Sequence, residues 1–409
     1  MTQSYFGWHV VGAAFTVAVF GWGINFYGPP IFLQVLHTTR GWPISSISAA
    51  ITVHFLAGAG IVANLAALHR RFGVASVTRA GAVLTATGLV GWAFAPGPAW
   101  LFLAAPVGGA GWAMTSGAAL NAMVSPWFAR RRPAALSMAF NGASLGGVLF
   151  SPLWVAAIGR FGFHATALAI AATVLIVLWV LSGRYFRQTP ATLGLPIDGE
   201  PATATPTIVQ HTTATAPIPH PWRDRRFVTL AIGATLGLFA QIGLIAHLFS
   251  ILAPILGDTG ASAAMGGATA LAIGGRTLLG WTIPPHANRR TVAAANLSIQ
   301  AIGSIVLLTA GTSVPLVLLG TGLFGLGLGN VTSLPPLIAQ AEFVAADVPR
   351  VVALVTALGQ AGYAFAPALF GVLRECGDSG TMLLFGVAAA VQLGAAGTMP
   401  MGLRRSQYP

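Results

Sequence analysis

One arginine, Arg276, lies inside a long apolar stretch and is the residue best suited to bind a negatively charged group. A guanidinium keeps its proton and can donate two parallel N–H bonds to a carboxylate. The eight acidic residues all fall in predicted loops, in the linker or at ends of apolar stretches: Asp198, Glu200, Asp224, Asp258, Glu342, Asp347, Glu375 and Asp378. We therefore expect Arg276 to bind an anionic ligand. The alternative is that backbone carbonyls and hydroxyls satisfy Arg276, so that it serves helix packing.

Further polar residues lie near the middles of apolar stretches, where they are able to surround one small ligand. The candidates for ligand binding are Asn25, Tyr27, Asn121, Asn141, Gln241, Gln360 and Tyr363. For each amide, a hydrogen bond between helices is the competing interpretation. His54 and His247 are candidates for proton coupling because imidazole titrates near neutral pH, and a neutral packed histidine is the alternative.

The composition restricts the class of protein to which these residues belong. The chain has 409 residues, of which 55% are hydrophobic and 7% are charged, and its mean hydropathy is +0.78. Soluble domains carry about 25% charged residues, so this composition predicts an integral membrane protein and argues against nucleic-acid binding despite a net charge of +12. The single cysteine, Cys376, excludes an intramolecular disulfide. No metal-binding cluster, cofactor or nucleotide motif is recognisable, and nothing indicates an enzyme.

Twelve apolar stretches are long enough to cross a bilayer, which predicts an all-α membrane protein. They cover approximately 7–36, 45–68, 74–95, 98–124, 133–158, 163–184, 227–256, 260–284, 291–311, 314–340, 349–373 and 380–402. Arginines concentrate in alternate loops, and the chain contains no lysine. Because cytoplasmic loops carry the basic excess, both termini are predicted to be cytoplasmic.

A polar segment divides the stretches into two groups of six. Residues 186–226, rich in Thr, Pro and Ala, are predicted to form a flexible cytoplasmic linker between six-helix bundles at 1–185 and 227–409. The halves also resemble each other, since FSPLWVAAIGRFG at 150–162 aligns with FAPALFGVLRECG at 365–377. Such internal similarity is typical of transporters built from repeats.

Several motifs resemble the major facilitator superfamily, and in particular its oxalate/formate antiporter and monocarboxylate transporter branch. They are FGWHVVGAAF at 6–15, WFARRRPAALSMAFNGASLGG at 127–147, RQTPATLGLPIDGE at 187–200 and GRTLLGW at 275–281. The resemblance implies two six-helix bundles related by a pseudo-two-fold axis along the membrane normal, and it implies that Arg276 anchors a carboxylate. One departure is Phe26, which stands where animal monocarboxylate carriers have an intramembrane lysine.

The predicted function is therefore secondary transport or exchange of a small organic anion, with a monocarboxylate favoured. The protein is predicted to be a monomeric multi-pass protein of the inner membrane, in contact with lipids. The alternative is an exporter of amphipathic drug-like or neutral metabolites, which the 11 Trp and 23 Phe favour and the absence of an intramembrane acid disfavours for cations. The sequence leaves three modes open: proton coupling, exchange and facilitated diffusion.

Overall fold

The computed structural model describes residues 5–199, 220–282, 287–344, 346–377 and 379–402. Within these ranges all regular structure is helical, which confirms the predicted all-α membrane fold. Nine helical segments there are long and apolar enough to cross a membrane. Two of them each contain two consecutive crossings, and residues 98–124 form a further crossing that is interrupted at Ser116. Counted in this way, the described chain has the twelve crossings that the sequence predicted.

The first of two compact units contains Met1–Trp42 and Val53–Val209. Its first crossing is broken near Phe26, and Pro29 and Pro30 in the next turn have no N–H to donate to the preceding helix. Arg40, at the end of this crossing, donates to the carbonyls of Ala93 and Ala95. The helices are α1 Phe6–Asn25, α2 Gly28–Arg40, α3 Ile44–Phe72, α4 Val74–Phe94, α5 Pro98–Thr115, α6 Gly117–Val124 and α7 Arg132–Tyr185.

The second unit contains Gln210–Pro409 together with Pro43–Thr52, the beginning of α3. There the Ala368 N–H donates to Thr52 Oγ1 over 3.0 Å, and the Ser45 N–H donates to Glu375 Oε1 over 2.9 Å. The predicted boundaries had assigned this short segment to the first bundle. The helices of this unit are α8 Arg225–Thr282, α9 Arg289–Thr309, α10 Val314–Glu342, α11 Val348–Ala364, α12 Ala366–Arg374 and α13 Gly380–Thr398.

Glycines with positive φ allow abrupt reversals of the chain inside α7 and α8. Gly162 has φ 77° and ψ 163°, and Gly257 has φ 70° and ψ 164°. This backbone region is almost restricted to glycine, because a Cβ would clash with the adjacent carbonyl. Gly377 also has positive φ, and it aligns with Gly162 in the internal repeat. The two halves thus share a glycine with positive φ as well as sequence similarity.

The beginning of the predicted linker is fixed to the first unit. The Asp198 carboxylate accepts hydrogen bonds from the backbone N–H groups of Ala129, Arg130 and Arg131, at 2.9 to 3.2 Å. Burial raises the pKa of Asp198, but these N–H donors outweigh burial and hold the pKa below its ordinary value. Residues 200–219, the centre of the predicted flexible linker, lie outside the described residues.

Candidate functional site

Arg276 is half-buried in the second crossing of α8 and lies against α10. Its Nε donates to the carbonyl of Gly329 over 3.2 Å. A side chain at position 329 would interfere with this contact, because a Cβ there would lie 3.1 Å from Arg276 Nε and 3.1 Å from Nη2. The small residue therefore lets the guanidinium approach the α10 backbone, and the hydrogen bond holds its Nε edge there.

Polar side chains continue from this point along α10 and α9. The Gly329 carbonyl also accepts from the hydroxyls of Thr332 and Ser333. The next residue, Asn330, donates to Asn296 Oδ1 over 3.0 Å, and both asparagines are buried. This network supports the α10 backbone that holds Arg276. Asn296 and Ser333 were not among the predicted site residues.

His247, the second coupling candidate, is fully buried in α8. Its Nε2 lies 3.0 Å from the carbonyl of Pro367 in the α11–α12 crossing. Because a carbonyl only accepts, Nε2 carries the proton of this hydrogen bond. Nearby, Arg374 of α12 donates to Ser250 of α8. Arg374 lies one residue beyond the predicted apolar stretch 349–373, and in the structure it connects the two crossings.

The other three candidates of the second unit have varied surroundings. Gln241 is 5% exposed, and its Oε1 has no hydrogen-bond partner among the described residues. Gln360 and Tyr363 lie one turn apart on α11, and both are half-buried. Their spacing places them on neighbouring positions of one helix face.

In the first unit the structure brings two candidates together, Asn25 and His54. Both line a small cavity that Pro29, Phe32 and Trp92 help to enclose. Only about 10 Å³ of the cavity is open to the centre of a water-sized sphere, which is room for about one water molecule. His54 is 3% exposed, and neither ring nitrogen has a hydrogen-bond partner among the described residues. Asn25 Nδ2 donates to Thr85 Oγ1 over 3.3 Å.

Aromatic rings surround the break between α1 and α2. The rings of Trp22 and Trp112 meet edge to face with centroids 4.7 Å apart. Phe26 stacks on Trp112 at 6.1 Å and contacts Tyr27 at 5.0 Å. Phe26, which the family resemblance aligns with a lysine of animal carriers, is therefore part of an aromatic cluster.

The remaining candidates of the first unit are exposed. Asn121 in α6 accepts a hydrogen bond from Ser125, one turn later, and Asn141 lies in the first crossing of α7. The structure does not place either asparagine among the residues that line the small cavity of Asn25 and His54.

The second unit also contains an ion pair that the sequence does not indicate. Arg290 lies just before the predicted apolar stretch 291–311, and in the structure it is fully buried. It donates from Nε and Nη2 to the two carboxylate oxygens of Glu342, at 2.6 and 2.9 Å. No local pattern marks this pair, because the two residues are 52 positions apart at the ends of different helices.

Comparison with known proteins identifies the family and several relatives. The sequence profile of the Major Facilitator Superfamily matches residues 10–367. Monocarboxylate transporter 11 of Mus musculus is 30% identical over 171 residues, which cover 41% of this chain and 38% of that protein. Monocarboxylate transporter 13 of Bos taurus is 27% identical over 213 residues, which cover 50% of this chain and 47% of that protein. The chain thus matches less than half the length of these relatives.

Solved structures with the same fold have low sequence identity. The nucleoside transporter NupG has a TM-score of 0.72 at 12% identity, and the match covers 98% of this chain and all of that one. A bacterial homologue of the human lysosomal transporter Spinster, in an inward-facing and unoccupied conformation, has a TM-score of 0.68 at 12% identity, with 98% and 99% covered. These similarities establish the fold of the chain and leave its substrate open.

Proposed function

Because this chain belongs to the major facilitator superfamily, we propose that it transports a small organic anion, with a monocarboxylate as the favoured substrate and Arg276 as its anchor. Similarity to two monocarboxylate transporters, each over less than half of its length, supports the branch that the sequence motifs suggested. That the protein is a transporter and not an enzyme follows from the family. The anion, the anchor and the mode of transport are the content of the proposal.

The position of Arg276 is the observation that carries the proposal. A permanent positive charge half-buried in a membrane crossing is costly unless it serves a partner or faces water. The bond from Nε to Gly329 holds one edge of the guanidinium against α10. A planar, oriented guanidinium is suited to binding a carboxylate through two N–H groups.

Three carboxylates of the described second unit bind other groups of the protein. Glu342 pairs with Arg290, Asp224 pairs with Arg226, and Glu375 accepts from the Ser45 backbone. A single anchoring arginine favours one negative charge on the substrate over two.

A second candidate function is transport of a neutral or amphipathic metabolite, and the aromatic cluster around Phe26 favours it. Rings packed at this point offer a surface to an apolar or planar ligand, since aromatic faces bind such groups by stacking and dispersion.

Binding by variants of the full-length purified protein tests the proposal. Thermal unfolding is recorded with a panel of monocarboxylates, dicarboxylates, neutral nucleosides and amphipathic cations, because a ligand that binds the folded state raises the melting temperature. We expect monocarboxylates to stabilise the parent, Arg276→Gln to lose this stabilisation, and Arg276→Lys to retain part of it.

Arg289→Gln is the matched control. Arg289 is also half-buried and also donates to an α10 carbonyl, that of Leu337 over 2.9 Å, but it lies at the start of α9 and not inside a crossing. This variant should keep the response to monocarboxylates. Equal stabilisation of Arg276→Gln and the parent would refute the anchor, and stabilisation by neutral nucleosides or cations alone would favour the second function.

The arrangement of the protein in the cell is part of the same proposal. We propose a monomer in the inner membrane with both termini in the cytoplasm, and the arginine-rich loops support this orientation. Cysteine labelling of an engineered N-terminal residue in sealed cells tests the orientation, in a Cys376→Ser background because Cys376 is free and exposed. Modification by a membrane-impermeant reagent from outside would reverse it.

A further inference from the structure

A groove at the arginine-rich end of the first unit is separate from the residues discussed so far. It lies between α4 and the second crossing of α7, and its lining consists of Ser76, Arg79, Ala80, Val83, Leu84 and Trp179. Its volume is about 520 Å³. One end is polar and cationic, and the wall along α4 is apolar.

The cation of this groove is held in place by aromatic and backbone contacts. The guanidinium carbon of Arg79 lies 4.8 Å from the ring centroid of Trp179. A Cβ at Gly183 would lie 2.6 Å from Arg79 Nη2, so the guanidinium rests against the α7 backbone. Arg79 Nε is buried and has no hydrogen-bond partner among the described residues. The guanidinium is thus oriented between the Trp179 ring and the α7 backbone.

The depth of the groove matches the interface between lipid headgroups and hydrocarbon. Arg79 lies five residues after Val74, where α4 begins, and Trp179 lies six residues before Tyr185, where α7 ends. Both residues are therefore about 8 to 9 Å from their helix ends. Tryptophan and arginine are typical of this interfacial level.

The surroundings of the groove are those of a surface that faces lipid. Val83 is 42% exposed, and Ile176 and Val180, next to Trp179 on α7, are 64% and 58% exposed. Exposed aliphatic side chains on membrane crossings contact acyl chains. A ligand that enters the groove from the membrane therefore has an apolar part for Val83 and Leu84, and an anionic part for Arg79.

We propose that this groove binds an anionic phospholipid, with its phosphate on Arg79 and an acyl chain along Val83 and Leu84. Guanidinium groups bind phosphate oxygens by charge-assisted hydrogen bonds. Anionic lipids are also characteristic of the cytoplasmic leaflet, the side to which the arginine distribution assigns this end of the bundle.

Thermal unfolding of the full chain in neutral detergent tests the site, with phosphatidylglycerol and phosphatidylcholine of identical acyl chains as probes. We expect the parent to bind phosphatidylglycerol about fivefold more tightly, the preference that one interfacial arginine supplies. Arg79→Gln should remove the preference, and Arg79→Lys should keep most of it. Arg70→Gln, which removes an exposed arginine at the end of α3, should leave the preference intact.

A second variant keeps the test decisive if Arg79→Gln does not fold. Ala80 lines the groove and is exposed, so Ala80→Trp fills the space without changing any charge and should also remove the preference. Equal stabilisation of the parent by both lipids overturns the proposal, and so does a preference that survives Arg79→Gln. Stabilisation by inorganic phosphate as strong as that by phosphatidylglycerol would show a simple anion site instead.

Discussion

Arg290 and Glu342 form a two-point ion pair that joins the beginning of α9 to the end of α10. The arginine is fully buried, and its Nη1 also donates to Thr229 Oγ1 and to the Met399 carbonyl, each over 2.9 Å. The guanidinium of Arg290 in α9 therefore connects α8, α10 and the end of α13. Removing one partner of a buried pair leaves the other charge without compensation.

Glu342→Gln should therefore destabilise the protein. We expect a loss of about 3 kcal/mol, because Arg290 would stay buried with a neutral partner. Unfolding by denaturant in detergent measures the change. Glu375→Gln serves as the control, because Glu375 is exposed and accepts one backbone bond, so its loss should be much smaller. Equal stability of Glu342→Gln and the parent would contradict the structural role of the pair.

The Asp198 contact predicts a dependence on pH. Its pKa is below the ordinary value in the folded protein. The contact therefore contributes stability above the pKa of the unfolded chain, near 4, and this stability is lost as pH falls through the lower folded pKa. We expect hydrogen exchange at the Ala129, Arg130 and Arg131 amides to be slow at neutral pH and to increase below pH about 4, after correction for intrinsic exchange rates.

Asp198→Asn should reproduce the acid state at neutral pH. Asparagine tolerates the positive φ of this position, so the variant mainly removes the charge. We expect faster tryptic cleavage after Arg130 and Arg131. Asp224→Asn, which alters a carboxylate bound to Arg226 in the second unit, should leave that cleavage unchanged. Unaltered cleavage in Asp198→Asn would show that the carboxylate does not hold the segment.

The surroundings of the two histidines predict different roles for them. His247 is committed to the Pro367 carbonyl, whereas His54 lines a cavity with room for about one water molecule. We propose that any proton coupling uses His54. His54→Gln should abolish uptake driven by a pH gradient in vesicles and preserve exchange of labelled for unlabelled substrate. His247→Gln should affect both activities together, through stability. Gradient-driven uptake that survives in His54→Gln would refute this assignment.

Close approach of α3 to α5 predicts a steric effect at Gly109. A Cβ at this position would lie 1.9 Å from the carbonyl oxygen of His54, so Gly109→Ala must push the helices apart. Overpacking of this kind costs about 1 to 3 kcal/mol. Gly60→Ala, on α3 with open space around its Cβ position, should leave the melting temperature unchanged. Equal melting temperatures for the two variants would contradict the described packing.

The sequence predicted those features that depend on composition and on single unusual residues. The lengths of the apolar stretches were sufficient to predict the crossings. A charged residue inside an apolar stretch was sufficient to make Arg276 a candidate for ligand binding. The partner of a residue was not predictable when it was distant in the chain. Asn25 and His54 were each chosen for their position near mid-crossing, but only the fold brings them to one cavity. The burial of Arg290 was not predictable, because a basic residue next to another at the start of a helix gives no sign that it is buried.

The single-residue reversals at Gly162 and Gly257 limit what can be added to this chain. In each case one crossing ends and the next begins without an intervening connection, so helical hydrogen bonding resumes on both sides of one residue. A tag, a protease site or a glycosylation sequence inserted there would have to unwind an adjacent turn of helix. A tag for the side of the membrane on which these reversals lie therefore has to be inserted at another connection between crossings.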